Sequence, residues 1–224
     1  MKYLITGTSS GLGFCLAERL LARGQVIGIS RSRGKSEVFC NSSEYLHLEF
    51  DFSRSIESEE FQILINKLQD IIRDEPFTIV LNAACFYAGE KRLSKAQLSS
   101  LFEINLFSII GLVQALESSN LRRVFFVNSI SGMVGQANQH EYSASKHAVM
   151  GFARSLAKKA KSSTYDVMCI NPGGMKTELW SQYKDVNSSD FLNPSSVADL
   201  CVSLIEFPQR VFIEYLSLLP PSDL

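Results

Sequence analysis

Tyr142 and Lys146 stand four residues apart in Tyr142-Ser143-Ala144-Ser145-Lys146. On a helix that spacing places a phenol and an ammonium on one face. A neighbouring ammonium favours the phenolate and draws a Tyr pKa down from its ordinary value of about 10. Such a pair is a general acid/base suited to moving a proton on or off an alcohol oxygen. Alone, Tyr-x-x-x-Lys arises often by chance and describes a helix-surface pair equally well. A hydroxyl upstream changes the weighing: Asn128-Ser129-Ile130-Ser131-Gly132 follows a Val- and Phe-rich run. A hydroxyl there can hydrogen-bond a substrate carbonyl and stabilise its developing charge. Ser129 and Ser131 both carry such a hydroxyl.

Near the N-terminus, Thr6-Gly7-Thr8-Ser9-Ser10-Gly11-Leu12-Gly13 closes one apolar run and opens another. A strand before and a helix after make this a candidate pyrophosphate cradle rather than a bare glycine-rich turn. Gly7 permits the tight turn, Gly11 lets a pyrophosphate approach the backbone, and Gly13 lets the helix pack close to the sheet. Ser9 and Ser10 add hydroxyl donors, and the helix N-terminus favours an anion. After the second apolar run an acidic residue would hold adenosine ribose hydroxyls. The chain instead reads Ile29-Ser30-Arg31-Ser32-Arg33. Arg31 can form a charge-assisted fork with a ribose 2′-phosphate, which predicts NADP(H) over NAD(H). The alternative is that Arg31 and Arg33 are solvated loop charges.

Elements that position these residues are legible as alternating short β-rich runs and longer amphipathic ones. Strands are predicted at Lys2–Thr6, Gln25–Ser30, Tyr45–Phe50, Thr78–Asn82, Arg123–Asn128 and Asp166–Ile170, with a seventh at Val211–Leu216. Helices are predicted at Leu12–Arg23, Ile56–Arg73, Lys95–Ser118, Tyr142–Ala160 and Pro194–Ile205, with a weak one between the second and third strands. Strand–helix alternation implies parallel pairing covered on both faces, hence a three-layer, Rossmann-type doubly wound α/β sheet of about seven strands. Ligands of such sheets sit outside the carboxyl ends of the strands, where the motifs above fall.

The chain has 224 residues, 22 Lys+Arg against 23 Asp+Glu, and a net charge of -1. That balance gives no reason to expect nucleic acid as a partner. The length fits one large domain or two small ones, and a single domain across 1–224 with its own core is the expectation. No apolar run approaches the roughly 18 residues a membrane helix needs, so no membrane partner is expected, and Thr6-Gly7 breaks the first apolar run before a signal peptide could form. Cys15, Cys40, Cys85, Cys169 and Cys201 contain no Cys-x-x-Cys pair, and three sit among apolar residues. Reduced thiols in a cytoplasmic protein are the expectation. His47, His140 and His147 show no ligand spacing, so no metal is expected.

Together these motifs resemble the short-chain dehydrogenase/reductase family in its compact single-domain form, across essentially the whole chain. The glycine loop is similar to that family's Thr-Gly-x-x-x-Gly-x-Gly. Asp51, with Phe52 beside it, matches the Asp that contacts adenine. Asn105 in Ile104-Asn105-Leu106 matches the helix Asn that holds a relay water near the Lys. Asn171-Pro172-Gly173-Gly174-Met175-Lys176-Thr177 is similar to the motif whose backbone and Thr contact the nicotinamide end.

The resemblance implies catalytic roles for Asn105, Ser129, Tyr142 and Lys146. Tyr142 would be the acid/base, Ser129 would orient the carbonyl, Lys146 would lower the Tyr pKa and bind the nicotinamide ribose, and Asn105 would support the relay. It implies cofactor contacts from Gly7, Thr8, Ser9, Ser10, Gly11, Leu12 and Gly13. Further contacts would come from Ser30, Arg31, Asp51, Phe52, Asn82, Ala83 and Ala84. Tyr142, Lys146, Pro172, Gly173, Met175 and Thr177 would complete the set. One departure stands out: the family's Asn-Asn-Ala-Gly is Asn82-Ala83-Ala84-Cys85 here. Asn82 keeps the amide that ties adjacent strands. Cys85 is either a small side chain filling a Gly position, the favoured reading, or a thiol able to sense oxidation beside the cofactor.

By the same likeness a substrate would meet Phe86, Tyr87, Met133, Val134, His140, Leu179, Trp180 and Phe191, with a short substrate loop at about 177–194. That wall suits a carbonyl compound with an apolar or ring group. The expected function is NADP(H)-dependent hydride transfer between nicotinamide and a small or medium carbonyl or alcohol substrate, in a homodimer or homotetramer. The alternatives are a non-catalytic NADP(H)-binding sensor or scaffold, or epimerisation-type chemistry with no net redox change.

Overall fold

The computed structural model describes residues 1–34, 36–73, 75–89, 92–180, 183, 189–209, 211, 213–214 and 216–221. Among these the strands are β1 (Lys2–Thr6), β2 (Gln25–Ser30), β3 (Tyr45–Glu49), β4 (Phe77–Leu81), β5 (Leu121–Val127), β6 (Asp166–Pro172) and β7 (Leu216–Leu218). They form one sheet in the order β3-β2-β1-β4-β5-β6-β7, and each neighbouring pair is parallel. The order reverses between β1 and β4, the switch point at which a doubly wound sheet opens a crevice.

Burial on both faces explains the strand sequences. Every residue of β4 (Phe-Thr-Ile-Val-Leu) and of β6 is buried. On one face lie α3 (Glu59–Ile72), α5 (Ser108–Leu116) and α6 (His140–Ala160), packed through Leu64, Leu68, Leu112 and Val149. On the other lie α1 (Gly11–Leu20) and α7 (Pro194–Ile205), packed through Leu16, Leu20, Ala198 and Cys201, with Phe39 of the short α2 (Glu37–Asn41) closing the β3 side. Local signals set the helix starts. Ser58 caps α3, and Asn193 caps α7 ahead of its leading Pro194.

Three expectations are corrected. The seventh strand is Leu216–Leu218, not Val211–Leu216, and it pairs with Ile170, Asn171 and Pro172 of β6. Residues 212 and 215 of the expected segment lie outside the described residues. The long helix is α4 (Lys95–Phe102), a π-helical turn (Glu103–Phe107) and α5. This stretch, Lys95–Leu116, is also long and apolar enough by length and composition to cross a membrane, contrary to the reading of the sequence. Its residues Leu101, Asn105, Ile109 and Leu112 are buried within the fold.

Candidate active site

The carboxyl ends of the strands open into a cleft of about 640 Å³ that runs from Arg31 past the glycine loop to Tyr142 and Lys146. Gly7 and Gly11 adopt φ of +76° and +59°, conformations that side chains rarely accept. A Cβ on Gly13 would lie 2.2 Å from the Gly7 carbonyl oxygen and 2.4 Å from Asn82 Nδ2. The close seat of α1 against β1 and β4 therefore requires glycine there. Asn82 Nδ2 donates to the Thr6 and Gly7 carbonyls at 3.0 and 3.3 Å. Thr6 Oγ1 accepts from the amides of Asn82 and Ala83 at 2.9 Å each. The loops after β1 and β4 are thus knitted together, and the surviving amide of the altered Asn82-Ala83-Ala84-Cys85 segment does the knitting.

Ser10 precedes α1 without a side-chain cap, which leaves the first-turn amides without that acceptor. These donors and the helix dipole suit an anion. The cradle, its glycines and the length of the cleft fit a dinucleotide. Gly7, Ser9, Ser10, Gly11, Leu12, Ser30, Arg31, Asp51, Phe52, Asn82, Ala83, Ala84, Tyr142, Lys146, Met175 and Thr177 line the cleft, as do Cys85 and the unanticipated Ser53, Ser100 and Ile104. Thr8 and Gly13 turn inward instead, and Pro172 and Gly173 line the adjoining cavity.

At the far end of the cleft Arg31 is exposed, while Ser30 is buried. Burial opposes ionisation of Asp51. The Ser53 amide, 2.9 Å from its Oδ1, and the charges of Arg31 and Arg54 outweigh it and hold the carboxyl below its usual range. Arg33 is committed elsewhere: Nη2 donates to the Phe39 carbonyl, and the guanidinium sits 5.6 Å from the Tyr45 ring centroid. The two arginines that look alike in sequence therefore divide, one on the cleft wall and one in the α2–β3 packing.

At the near end, Tyr142 lies on the first turn of α6 and Lys146 on the next, 6% and 1% exposed. Lys146 Nζ is 5.7 Å from the Tyr142 ring centroid, and the nearby Ser129 hydroxyl favours the ionised phenol. Ser129 Oγ also accepts the Ser131 amide at 3.1 Å, whereas Ser131 Oγ turns to Gln139 Oε1 at 3.2 Å. Burial pushes the Tyr142 phenol up to about 12, against the Ser129 hydroxyl, and pulls the Lys146 ammonium down to about 8. In the chain alone desolvation sets the direction, opposite to the lowering by Lys146 that the sequence led us to expect. The phenol stays protonated at neutral pH.

Asn105 sits in the π-helical turn, fully buried. Its Oδ1 accepts the Cys85 amide at 2.7 Å, and its Nδ2 donates to the Cys85 carbonyl at 2.9 Å and to Ser145 Oγ at 3.0 Å. Ser145 Oγ in turn donates to the Tyr142 carbonyl at 2.7 Å. This side chain therefore fixes the loop after β4 against the first turn of α6. Burial raises the Cys85 thiol, with hydrogen bonding from Tyr87 working the other way. A raised thiol is a poor nucleophile toward oxidants, which favours the packing reading of Cys85.

Beside Tyr142 a cavity of about 150 Å³ is walled by Phe86, Leu179, Trp180 and Phe191 on one side and by Ser129, Ser131, Gln136 and Gln139 on the other. Trp180 stands 4.7 Å from Phe86 and 5.0 Å from Phe191, ring centre to ring centre. Four expected wall residues are corrected. Tyr87 lines the long cleft instead, and Met133, Val134 and His140 line neither space, Val134 and His140 being exposed. The loop after β5 turns Gln136 and Gln139 toward the cavity together with Ile130, and not Met133 or Val134. Of the short loop after Thr177, residues 181–182 and 184–188 lie outside the described residues.

The family profile described as short chain dehydrogenase matches residues 2–187. A 3-oxoacyl-[acyl-carrier-protein] reductase of Salmonella typhimurium is 29% identical over 203 residues, covering 81% of this chain and 76% of that protein. An NADPH-dependent 3-dehydrocapnine reductase of Ornithobacterium rhinotracheale is 25% identical over 198 residues, covering 82% and 69%. Among solved structures, an alcohol dehydrogenase of the archaeon Thermococcus sibiricus, complexed with 5-hydroxy-NADP, superposes with a TM-score of 0.81 at 20% identity. It covers 97% of this chain and 95% of that one, a likeness of fold.

Proposed function

The chain belongs to the short chain dehydrogenase family of oxidoreductases, and on that premise we propose that it is an NADP(H)-dependent enzyme interconverting a compact, uncharged carbonyl compound and its alcohol. The observation that carries this reading is the position of Tyr142, which lines both the long cleft and the small cavity. A proton donor at that junction serves a substrate in the cavity and a nicotinamide in the cleft. When bound, the nicotinamide supplies or accepts the hydride.

The chain's own residues do the rest. The buried Tyr142 phenol, protonated at neutral pH, donates its proton to the carbonyl oxygen during reduction and recovers one during oxidation. The Ser129 hydroxyl, whose oxygen already accepts the Ser131 amide, has its proton left to orient that same oxygen. Lys146 retains positive charge below about pH 8 and stabilises the phenolate that reduction leaves behind. Asn105 and Ser145 hold the Tyr142 turn in place. Ser129→Ala is expected to lower kcat by about 10²-fold, the usual effect of losing one donor to a developing oxyanion, while Ser131→Ala stays near wild type. Steady-state rates on one carbonyl substrate check this, and the reverse order of effects would reassign the carbonyl donor to Ser131.

Arg31 supports the choice of NADP(H): it is exposed on the cleft wall directly after β2, and no carboxylate occupies the Ser30 position. A relative named as NADPH-dependent is consistent with it. Arg31→Ala is expected to reduce the NADPH-over-NADH affinity ratio about tenfold or more, as loss of a charge-assisted hydrogen bond does. Thermal stabilisation by each dinucleotide at equal concentration reads the ratio, and an unchanged ratio would make Arg31 a solvated loop charge. The cavity wall, aromatic and amide-bearing with no charged side chain among the described residues, supports an uncharged, ring-bearing substrate. Exposed Leu98 and Phe107 support a homo-oligomer built on the Lys95–Leu116 stretch.

A further inference from the structure

Ser30 occupies the end of β2, where an acidic residue would accept the ribose hydroxyls of NAD(H). Its hydroxyl has one proton and two lone pairs to offer. Three partners surround it. The Ser32 carbonyl lies 2.9 Å away, Thr8 Oγ1 3.2 Å and His47 Nε2 3.2 Å. A carbonyl can only accept, so the Ser30 proton lies on Ser32. Tyr45 OH donates to Thr8 Oγ1 at 3.1 Å, which leaves the Thr8 proton for Ser30. With the Ser30 proton committed, His47 Nε2 makes its contact only as a donor. This is the one assignment in which every contact is made: Ser30 donates once, accepts twice and is saturated.

We propose that His47 is a specificity-determining residue, which rejects NAD(H) by filling the last lone pair of Ser30. The inference rests on the NADP(H) reading above. A ribose 2′-hydroxyl that reaches Ser30 needs an acceptor for its proton and finds no lone pair left on that hydroxyl. A 2′-phosphate brings acceptors of its own and needs donors, which Arg31 supplies on the same wall. The donation from His47 thus leaves NADP(H) untouched and removes a contact from NAD(H), so selectivity comes from a loss imposed on the competitor.

The surrounding fold is built to hold this arrangement. His47 is paired across β2 and β3 with Gly28, and a Cβ on Gly28 would lie 2.3 Å from Tyr45 Oη and 2.6 Å from Thr8 Oγ1. The missing side chain makes the space in which Tyr45 reaches Thr8, which in turn meets Ser30 beside His47. Arg33, stacked on Tyr45, fixes the outer arm.

Dissociation constants for NADPH and NADH, each read by fluorescence titration of the purified chain, test the proposal on wild type, His47→Leu and His47→Gln. Leu removes the donor and frees a lone pair. The NADPH-over-NADH ratio is expected to fall about three- to tenfold, mainly through tighter NADH, the effect of one neutral hydrogen bond. Gln places an amide nitrogen where Nε2 stands and is expected to keep the wild-type ratio. A general loosening of the fold would weaken both dinucleotides alike and leave the ratio unmoved. A His47→Leu ratio within twofold of wild type overturns the proposal, as does an equal shift in both variants. If the Leu variant fails to fold, His47→Met, which also lacks a donor, carries the same test. A wild-type chain that does not prefer NADPH would sink the cofactor reading itself and this inference with it. A preference kept in wild type but unmoved by Leu or Met sinks only the role of His47.

Discussion

Tyr142→Phe is expected to lower kcat by about 10³-fold, within the range that loss of a positioned general acid produces, while NADPH affinity stays within about twofold of wild type. The split follows from where the phenol oxygen stands. The Tyr142 ring packs edge-on against Phe86 at 4.8 Å between centroids, and Phe keeps that contact. The cradle, the Asn82 ties and Arg31 are untouched, so the cleft keeps its hold on a dinucleotide. Only the proton is lost. Its pH signature has a definite sign. The buried phenol, pushed up to about 12, is protonated through the neutral range, which is the state reduction needs. Oxidation needs the phenolate, so its rate should rise with pH in wild type. Lys146, drawn down to about 8, begins to lose its charge above that pH, and its support of the phenolate fades there. Carbonyl reduction by wild type should therefore decline as pH rises through about 8. Initial rates in both directions between pH 6 and 10, for wild type and Tyr142→Phe, check this. A Phe variant that retains a third of wild-type turnover would remove Tyr142 from the chemistry.

The layout of the site was legible because its parts fall where chain direction demands them. Glycines lie between a strand and a helix, a hydroxyl stands at a strand end, and a phenol and an ammonium share a helix face. None of these needs tertiary information beyond the rule that parallel strands open their carboxyl ends to a ligand. What escaped the sequence depends on contacts between distant segments. The place of β7 is set by β6, which continues past Ile170 to Pro172 and draws Leu216–Leu218 beside it. An apolar run at Val211 carries no trace of that register. The π-helical turn leaves no mark in the helical stripe, yet it seats Asn105 against Cys85 and Ser145.

Electrostatics were the least legible. Arg31 and Arg33 are equivalent until Phe39 and Tyr45 claim one of them. The Tyr142 pKa was reasoned from its charged neighbour, whereas burial, which no spacing reports, is the larger influence. His47 has no ligand spacing to mark it in the sequence. Its partner, Ser30, is on the next strand and becomes a neighbour only once β2 and β3 pair. Along the cavity the loop after β5 reads as apolar at Met133 and Val134, but the turn points Gln136 and Gln139 inward instead.

Arg123→Leu is expected to destabilise the fold by about 3–5 kcal/mol, the usual cost of removing one partner of a buried ion pair. Arg123 and Asp166 face each other as register partners on β5 and β6, toward the amino-terminal ends of the strands and away from the cleft, and their side chains are 3% and 2% exposed. Arg123 Nη2 reaches Asp166 Oδ2 at 3.0 Å and the Phe207 carbonyl at 2.9 Å, and Nη1 reaches the Leu204 carbonyl at 2.8 Å and that of Ile205. One guanidinium thus neutralises a buried carboxylate and caps the last turn of α7, whose carbonyls have no partner further along the helix. Leucine fills part of the volume but donates nothing, so Asp166 loses its cation and the Ile205 and Phe207 carbonyls lose the guanidinium donor, while the Leu204 carbonyl keeps the Phe207 amide at 3.2 Å. In a domain of this length that loss corresponds to roughly 10 °C in Tm. The dinucleotide cleft is at the other end of the strands, so kcat measured well below the transition should match wild type. Thermal and urea unfolding, with kcat at 20–25 °C beside them, separate the two effects. A loss below about 1 kcal/mol, the scale of a surface pair, would mean that the buried clamp contributes no more than an exposed one. Adding Asp166→Leu to Arg123→Leu should recover part of the stability, because the carboxylate that needed the cation is then gone as well.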